Sequence, residues 1–269
     1  MKGLKKSILA ILVGTLTLGV VGCSSSDEGK NQLEIIKEKG VLTMATSADY
    51  PPYEFHKEVN GKDTIVGFDI MIAQEVANSL GVELEIKDMK FDGLLGALKS
   101  GNVDVVVAGM SPTEERKEAV NFTNVYHNGE HTILIKKENK DKYKSIEDLQ
   151  SASIAVQKSS LQESIAKDVI KSSNIKSLGK ISDIVLELQN NNVDAVVVSK
   201  EAIPGYLKQY PDILEANIDL GNDQSEGSAI AINKSDDTSL VNAINEVLDK
   251  LEKENKIEAF VEEATQLAQ

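Results

Sequence analysis

The chain has 269 residues, 41% of them hydrophobic and 27% charged, with no tryptophan and a single cysteine. That apolar share supports one or two packed domains and excludes a disordered polyelectrolyte. Basic residues number 29 against 43 acidic ones, a net charge of -14, which disfavours nucleic acid and anionic lipid surfaces as partners.

The N-terminal MKGLKKS places three lysines ahead of an apolar run over residues 8–21, broken only by Gly and Thr. Crossing a bilayer takes about 20 apolar residues, so this shorter run predicts a secretory signal over residues 1–22 rather than a span. The run ends at Val20-Val21-Gly22-Cys23, which resembles the lipobox of bacterial lipoproteins. That resemblance implies a lipid on Cys23 and an extracytoplasmic protein tied to the bacterial cell membrane by the lipid alone. Cys23 has no second cysteine to pair with, so no intramolecular disulfide forms. Residues 23–36 then read as a lipidated polar tether.

Strands and helices alternate from there. Residues 41–46 predict a strand. Ile70, Ile72, Ala73, Val76, Ala77 and Leu80 recur on one helical face and Gly81 closes the pattern, so residues 69–80 predict a helix. A strand over 82–86, a helix over 94–99 and the apolar run 103–108 complete a βαβαβ series, the last run being of the kind buried on both faces of a sheet. Residues 132–136 predict another strand, and KKENKDKYKS a solvated connection. The pattern restarts with a strand over 153–156, helices over 162–172 and 184–190, and a strand over 193–198, and it ends in helices within 240–267. GNVDVVVAG, residues 101–109, returns as NNVDAVVVS, residues 191–199. Each copy reads as the helix, turn and strand of one α/β lobe, with Asn102-Val103-Asp104 and Asn192-Val193-Asp194 anchoring the scaffold rather than forming a site.

Two such lobes enclose a cleft, and open α/β sheets bind ligands beyond the carboxyl ends of their strands. After residues 103–108 the chain reads Gly109-Met110-Ser111-Pro112-Thr113-Glu114-Glu115-Arg116. Ser111 is the expected N-cap, with Pro112 at the first helical position and Glu114 completing a capping box. Ser160-Leu161-Gln162-Glu163 repeats that spacing in the second lobe. Helix N-termini offer unpaired N–H groups and a positive dipole end to an anion. Arg116 adds a guanidinium able to hold a carboxylate bidentately. No metal or cofactor is expected: His56, His127 and His131 are scattered, and Asn128-Gly129 predicts a turn that prevents the last two from aligning as a helical metal pair. His127 and His131 are taken as surface or hinge residues.

Four stretches then stand in a recognisable order: GVLTMATSADYPPYEF, IVGFDIMIAQEVANSLGVELE, FDGLLGALKSGNVDVVVAGMSPTEERKEAVNFT and SIEDLQSASIAVQKSSLQES. They resemble the polar amino-acid solute-binding proteins of ABC importers, over about residues 38–268. The resemblance implies an α/β, two-lobed periplasmic-binding-protein type II fold, each lobe a mixed sheet flanked by helices, joined by two hinge strands. Lobe 1 is expected over 37–136 and 225–269, lobe 2 over 137–224, with hinges near 135–139 and 221–226. It also implies that Arg116 grips an α-carboxylate with help from the Ser111 hydroxyl, and that Ser160 and Leu161 close from the second lobe. Gly109 would offer its carbonyl to an α-ammonium, while Tyr50 and Phe91 flank the ligand side chain. Three positions depart from the family pattern. Ser199, followed by Lys200 and Glu201, stands where an acidic residue usually holds the ammonium, Ala108 replaces a common Ser, and Ser159 replaces a Gly. The ammonium partner is left open among Asp49, Glu201 and neutral oxygens.

Asp49 and Glu54 beside Tyr50 suit a basic ligand side chain. The expected order is therefore a basic amino acid, then glutamine or another polar one. An acidic amino acid comes last because Arg116 is the only arginine. What the resemblance implies is a monomer that captures an amino acid by closure and delivers it to an ABC permease. The rival reading is an enzyme of the cyclohexadienyl dehydratase type on the same fold, with Glu201 as acid or base.

Overall fold

The computed structural model describes residues 30–221 and 227–269. The expected signal, Cys23 and residues 222–226 of the second expected hinge lie outside the described residues. In chain order the elements are α1 (Gln32–Lys39), β1 (Val41–Thr46), β2 (Asp49–Tyr50), β3 (Glu54–Val59), β4 (Lys62–Val66), α2 (Phe68–Leu80), β5 (Glu83–Asp88), α3 (Leu94–Lys99), β6 (Val105–Val106), α4 (Glu114–Ala119) and β7 (Val120–Phe122). There follow β8 (His131–Lys136), α5 (Ile146–Leu149), β9 (Ser153–Gln157), α6 (Leu161–Ser164), β10 (Asn174–Leu178), α7 (Ile181–Gln189), β11 (Ala195–Ser199), α8 (Ile203–Gln209), β12 (Ile213–Ala216), β13 (Ala231–Asn233), α9 (Ser239–Lys253) and α10 (Lys256–Ala268).

Asn31 starts α1 with a reciprocal cap: its side chain accepts from Glu34 N at 2.9 Å while the Glu34 carboxylate accepts from Asn31 N at 3.1 Å. Two of the helix's orphan donors are satisfied at once. The tether expected over 23–36 therefore gives way to α1 at Gln32, and Ile36 is buried.

Two mixed sheets carry the molecule. The first has the order β5-β1-β6-β13-β7 and the second β10-β9-β11-β8-β12. In the first, β1 lies parallel to β5 and β6 while β13 returns antiparallel. In the second, β9 lies parallel to β10 and β11, and β8 runs antiparallel to β11 and β12. A separate hairpin, β3-β4, turns at Asn60-Gly61, whose positive φ values of 53° and 75° suit the two-residue turn that joins twisted strands. Met44, Phe68 and Ile72 in the first half and Ile133, Ile135 and Leu149 in the second are fully buried.

The repeat does the same work twice. Asp104 accepts from Thr43 N at 2.7 Å through its carboxylate, and Asp194 accepts from Ser153 N at 2.9 Å. Backbone donors repeat the match: Asp104 N to Thr43 O and Asp194 N to Ser153 O, both 2.8 Å. Each aspartate thus pins the start of the central strand in its own sheet.

One expected boundary is overturned. Residues 132–136 fall not in the first half but in β8, held on both edges by β11 and β12. A strand paired on two sides cannot serve as a hinge, so the crossing expected at 135–139 lies earlier, between Phe122 and His131. The chain is back in the first sheet at β13 (Ala231–Asn233), after Gly227 and Ser228. The two passages are bonded to each other, Ser228 N donating to His127 O at 2.7 Å and Tyr126 N to Ser228 O at 2.9 Å.

Candidate functional site

A cavity lies between the two sheets. Tyr50, Tyr53, Phe91, Gly109, Ser111 and Arg116 line it from the first half; Gln157, Leu161, Gln162, Ser199 and His131 line it from the second, with Gly129, Gly227 and Ser228 from the crossings.

Arg116 holds the seam. Its Nη1 donates to Ser111 O and its Nη2 to Ser159 O, each at 2.7 Å, so one guanidinium bridges the two halves. Its carbon stands 5.5 Å from the centre of the Phe91 ring, in cation–π range. The helix that carries it starts later than expected. Thr113, not Ser111, is the N-cap and accepts from Arg116 N at 3.3 Å, which places Glu114 at the first helical position. Thr113 N turns back to Ser111 O at 3.0 Å, and this tight turn leaves Ser111 in the cavity wall.

Ser160 is the N-cap of α6 as expected, accepting from Glu163 N at 3.2 Å, but its hydroxyl donates to Gln157 O at 2.6 Å and it faces an adjoining cleft rather than the cavity. The Glu163 carboxylate reaches Ser159 N at 2.7 Å instead of closing the capping box. Ser159 sits at φ 63°, in the left-handed region where glycine fits best. Keeping a serine there costs about 1 kcal/mol of backbone strain.

Gly109 is a position that favours glycine. Its φ is +53°, and a Cβ there would stand 3.1 Å from the Tyr50 and Tyr53 rings. Those rings stack at 4.8 Å with a 7° interplanar angle, forming one aromatic wall of the cavity. Gly109 N donates to Asp69 at 2.8 Å.

Asp49, expected beside the ligand, is not in the cavity. It precedes Tyr50 in β2, and neighbouring strand residues point to opposite faces, so Tyr50 turns inward and Asp49 outward. Its carboxylate accepts from Ser182 N at 3.2 Å, in the first turn of α7, and from the Ser47 hydroxyl at 3.1 Å. Burial raises its pKa, against the lowering effect of these hydrogen bonds. Glu54 is not in the cavity either; it is fully buried beneath it.

Ser199 ends β11 at the cavity and its hydroxyl donates to Glu201. Glu201 stands directly behind Gly129, where an added Cβ would lie 3.0 Å from its Oε2. Its charge reaches Tyr50, Tyr53, His127 and His131. Burial pulls His131 below the ordinary histidine value while Glu201 pulls the other way. His131, expected as a surface or hinge residue, lines the cavity: antiparallel pairing sets it opposite Ser199.

A family model described as bacterial extracellular solute-binding proteins, family 3, matches residues 42–265. The chain belongs to this family. It is similar to the arginine-binding extracellular protein ArtP of Bacillus subtilis (strain 168), 35% identical over 257 residues that cover 95% of this chain and 96% of the relative. A probable histidine-binding protein of Campylobacter jejuni is 30% identical, covering 92% of this chain and 93% of its own. Among solved structures, an amino acid ABC transporter substrate-binding protein, AbpA, from Streptococcus pneumoniae Canada MDR_19A, bound to L-arginine, superposes with a TM-score of 0.83 at 34% identity, covering 87% of this chain and 98% of that one. All three are described as binding proteins, and the Streptococcus one as the substrate-binding protein of an amino acid ABC transporter. As a family 3 protein the chain is extracytoplasmic.

Seven of the expected ligand residues meet in the cavity: Tyr50, Phe91, Gly109, Ser111, Arg116, Leu161 and Ser199. Sequence reasoning missed Tyr53, Gln157, Gln162 and His131. Tyr53 shares the YPPY loop with Tyr50, and Gln157 ends β9, where the strand-end rule already pointed.

Proposed function

We propose that this protein captures a cationic L-amino acid, arginine or a close analogue, between its two halves and delivers it to an ABC permease. The observation that carries the reading is Arg116 in the cavity wall at the seam, with the Glu201 carboxylate standing behind Gly129 and Ser199. The ligand carboxylate pairs with the Arg116 guanidinium, supported by the Ser111 hydroxyl and the Leu161 N–H. Glu201, relayed by Ser199, supplies the negative charge that Ser199 itself lacks, and Gly109 offers a carbonyl to the ammonium. Tyr50 and Phe91 flank the side chain, where a cation against a ring face gains roughly 0.5 to 2 kcal/mol. The arginine named for the Bacillus relative and bound in the Streptococcus structure supports the choice of ligand.

Capture proceeds by closure. The half built on the first sheet moves against the half built on the second about the two bonded crossings, near residues 123–130 and 217–230. The protein acts as a monomer, exported by residues 1–22 and held at the membrane by a lipid on Cys23.

Isothermal titration of the exported portion with arginine, lysine, histidine, glutamine and glutamate tests the ligand. Cationic amino acids bind and glutamate does not. Binding of glutamine with none of the cations would reject the role of Glu201, and silence from every amino acid would reject the proposal.

A further inference from the structure

Two carboxylic acids that capture does not use are buried under the cavity. Glu54, at the start of β3, and Asp69, in the first turn of α2, are each 0% exposed. Asp69 is well supplied with donors: Gly109 N at 2.8 Å and the Tyr126 hydroxyl at 2.9 Å. It also lies in the first turn of a helix, where the dipole favours a negative charge. Glu54 is the reverse case. Both of its oxygens are buried without a hydrogen-bond partner, and so is the neighbouring Thr46 hydroxyl.

Two adjacent carboxylates do not both ionise in a dry interior. The distribution of donors decides which one does: Asp69 carries the charge and Glu54 keeps its proton, which a small rotation of the carboxyl directs at Asp69. The groups facing the pair are Asp49, Tyr50, Tyr53, Tyr126 and Thr46. Gly109, bonded to Asp69, forms part of the cavity wall.

We propose that Glu54 and Asp69 act as one buried acid pair with a single negative charge, positioning the Gly109 peptide and coupling capture of a cationic ligand to loss of a proton from the pair. Both are positioning residues; neither touches the ligand. The coupling rests on the cationic ligand proposed above. Its direction follows from charge: a cation beside Gly109 favours the ionised pair, so binding to the doubly protonated form releases one proton to solvent. Burial raises Asp69 to about 6, and the hydrogen bonds from Gly109 N and the Tyr126 hydroxyl, with the smallest effect from the neighbouring Glu54, hold it from rising further. Burial and the Asp69 charge push Glu54 well above the carboxylate range.

The test is the dissociation constant for L-arginine, measured by calorimetry from pH 5 to 8, for the wild type and three variants. Wild-type affinity falls below about pH 6, approaching tenfold per pH unit for one linked proton. Asp69→Asn keeps a Gly109 acceptor but removes that slope, leaving only the contribution of His131 and His127, which also charge in acid. Glu54→Leu moves the edge to higher pH because Asp69 loses its donor, and Glu54→Gln, an amide donor, moves it back. A slope in Asp69→Asn equal to that of the wild type overturns the proposal. Carbon-13 NMR of the carboxyl groups in the unliganded protein gives a readout independent of ligand and of that variant. The resonance that Glu54→Gln deletes stays protonated at pH 7, and an ionised Glu54 there overturns the pair. If the wild type binds no arginine at any pH, the cationic-ligand reading fails, while the NMR titration still decides the pair.

Discussion

Asp49→Ala separates a closure contact from a ligand contact. The Asp49 carboxylate belongs to the first half and accepts from Ser182 N at 3.2 Å in α7 of the second. The N-cap residue of α7, Lys180, makes no side-chain cap bond, so Asp49 caps this helix from across the seam. Helix caps contribute about 1 kcal/mol, within a range of roughly 0.5 to 2. Because the contact exists only when the halves are together, its whole loss falls on the closure equilibrium and therefore on affinity. One kcal/mol is about a fivefold change in dissociation constant, and the structure predicts a two- to thirtyfold weakening on that basis. Stopped-flow fluorescence with calorimetry places the change in the off-rate, since docking of the ligand on the first half is untouched. The melting temperature of the unliganded protein stays near that of the wild type. A loss beyond about a hundredfold, or a collapse of the preference for cationic ligands, would refute this reasoning and place Asp49 at the ligand.

Gly129→Ala sets a methyl group 2.9 Å from the Tyr53 hydroxyl and 3.0 Å from Glu201 Oε2; the carboxylate shifts, and calorimetry should show arginine affinity reduced about tenfold or more, with an unchanged circular dichroism spectrum. Asp194→Asn tests the repeat. Burial alone would raise the Asp194 pKa, but its hydrogen bonds from the Ser153 N–H and hydroxyl and the Lys142 charge bring it down to about 2. A carboxylate with a lowered folded value stabilises the fold above its unfolded value near 3.8, and that contribution disappears as pH falls toward 2. The variant should lose about 1 to 2 kcal/mol at pH 7. Its denaturation midpoint should then change less than the wild type's between pH 4 and 2, with arginine affinity at pH 7 unchanged.

The parts of the fold legible in sequence were those written in local periodicity. The α2 stripe closed by Gly81, the paired Asn-Val-Asp turns and the C-terminal helices all appear where their spacing puts them. Non-local facts were hidden. Nothing in residues 131–136 says that β8 pairs with β11 and β12, which is why the sequence points to a hinge near 135–139 and to a surface or hinge position for His131. The β3-β4 hairpin is marked in the sequence by Asn60-Gly61 alone, a two-residue turn signal. At the site, Arg116 is legible because few residues can supply a fork of donors, whereas Gly109 enters only through the family resemblance. Asp49 was misread because adjacency to Tyr50 was taken as shared direction, whereas a strand alternates.

The central claim is that Arg116 holds the carboxylate of an amino acid. The direct measurement is calorimetric titration of the wild type and of Arg116→Ala with L-arginine and with agmatine, which is arginine without its carboxylate. Removing one partner of a buried charge pair costs about 2 to 5 kcal/mol, so the wild type should prefer arginine over agmatine by at least about thirtyfold. Arg116→Ala should bind the two ligands alike. A variant that still binds arginine as tightly as the wild type, or keeps the full preference over agmatine, would contradict the account.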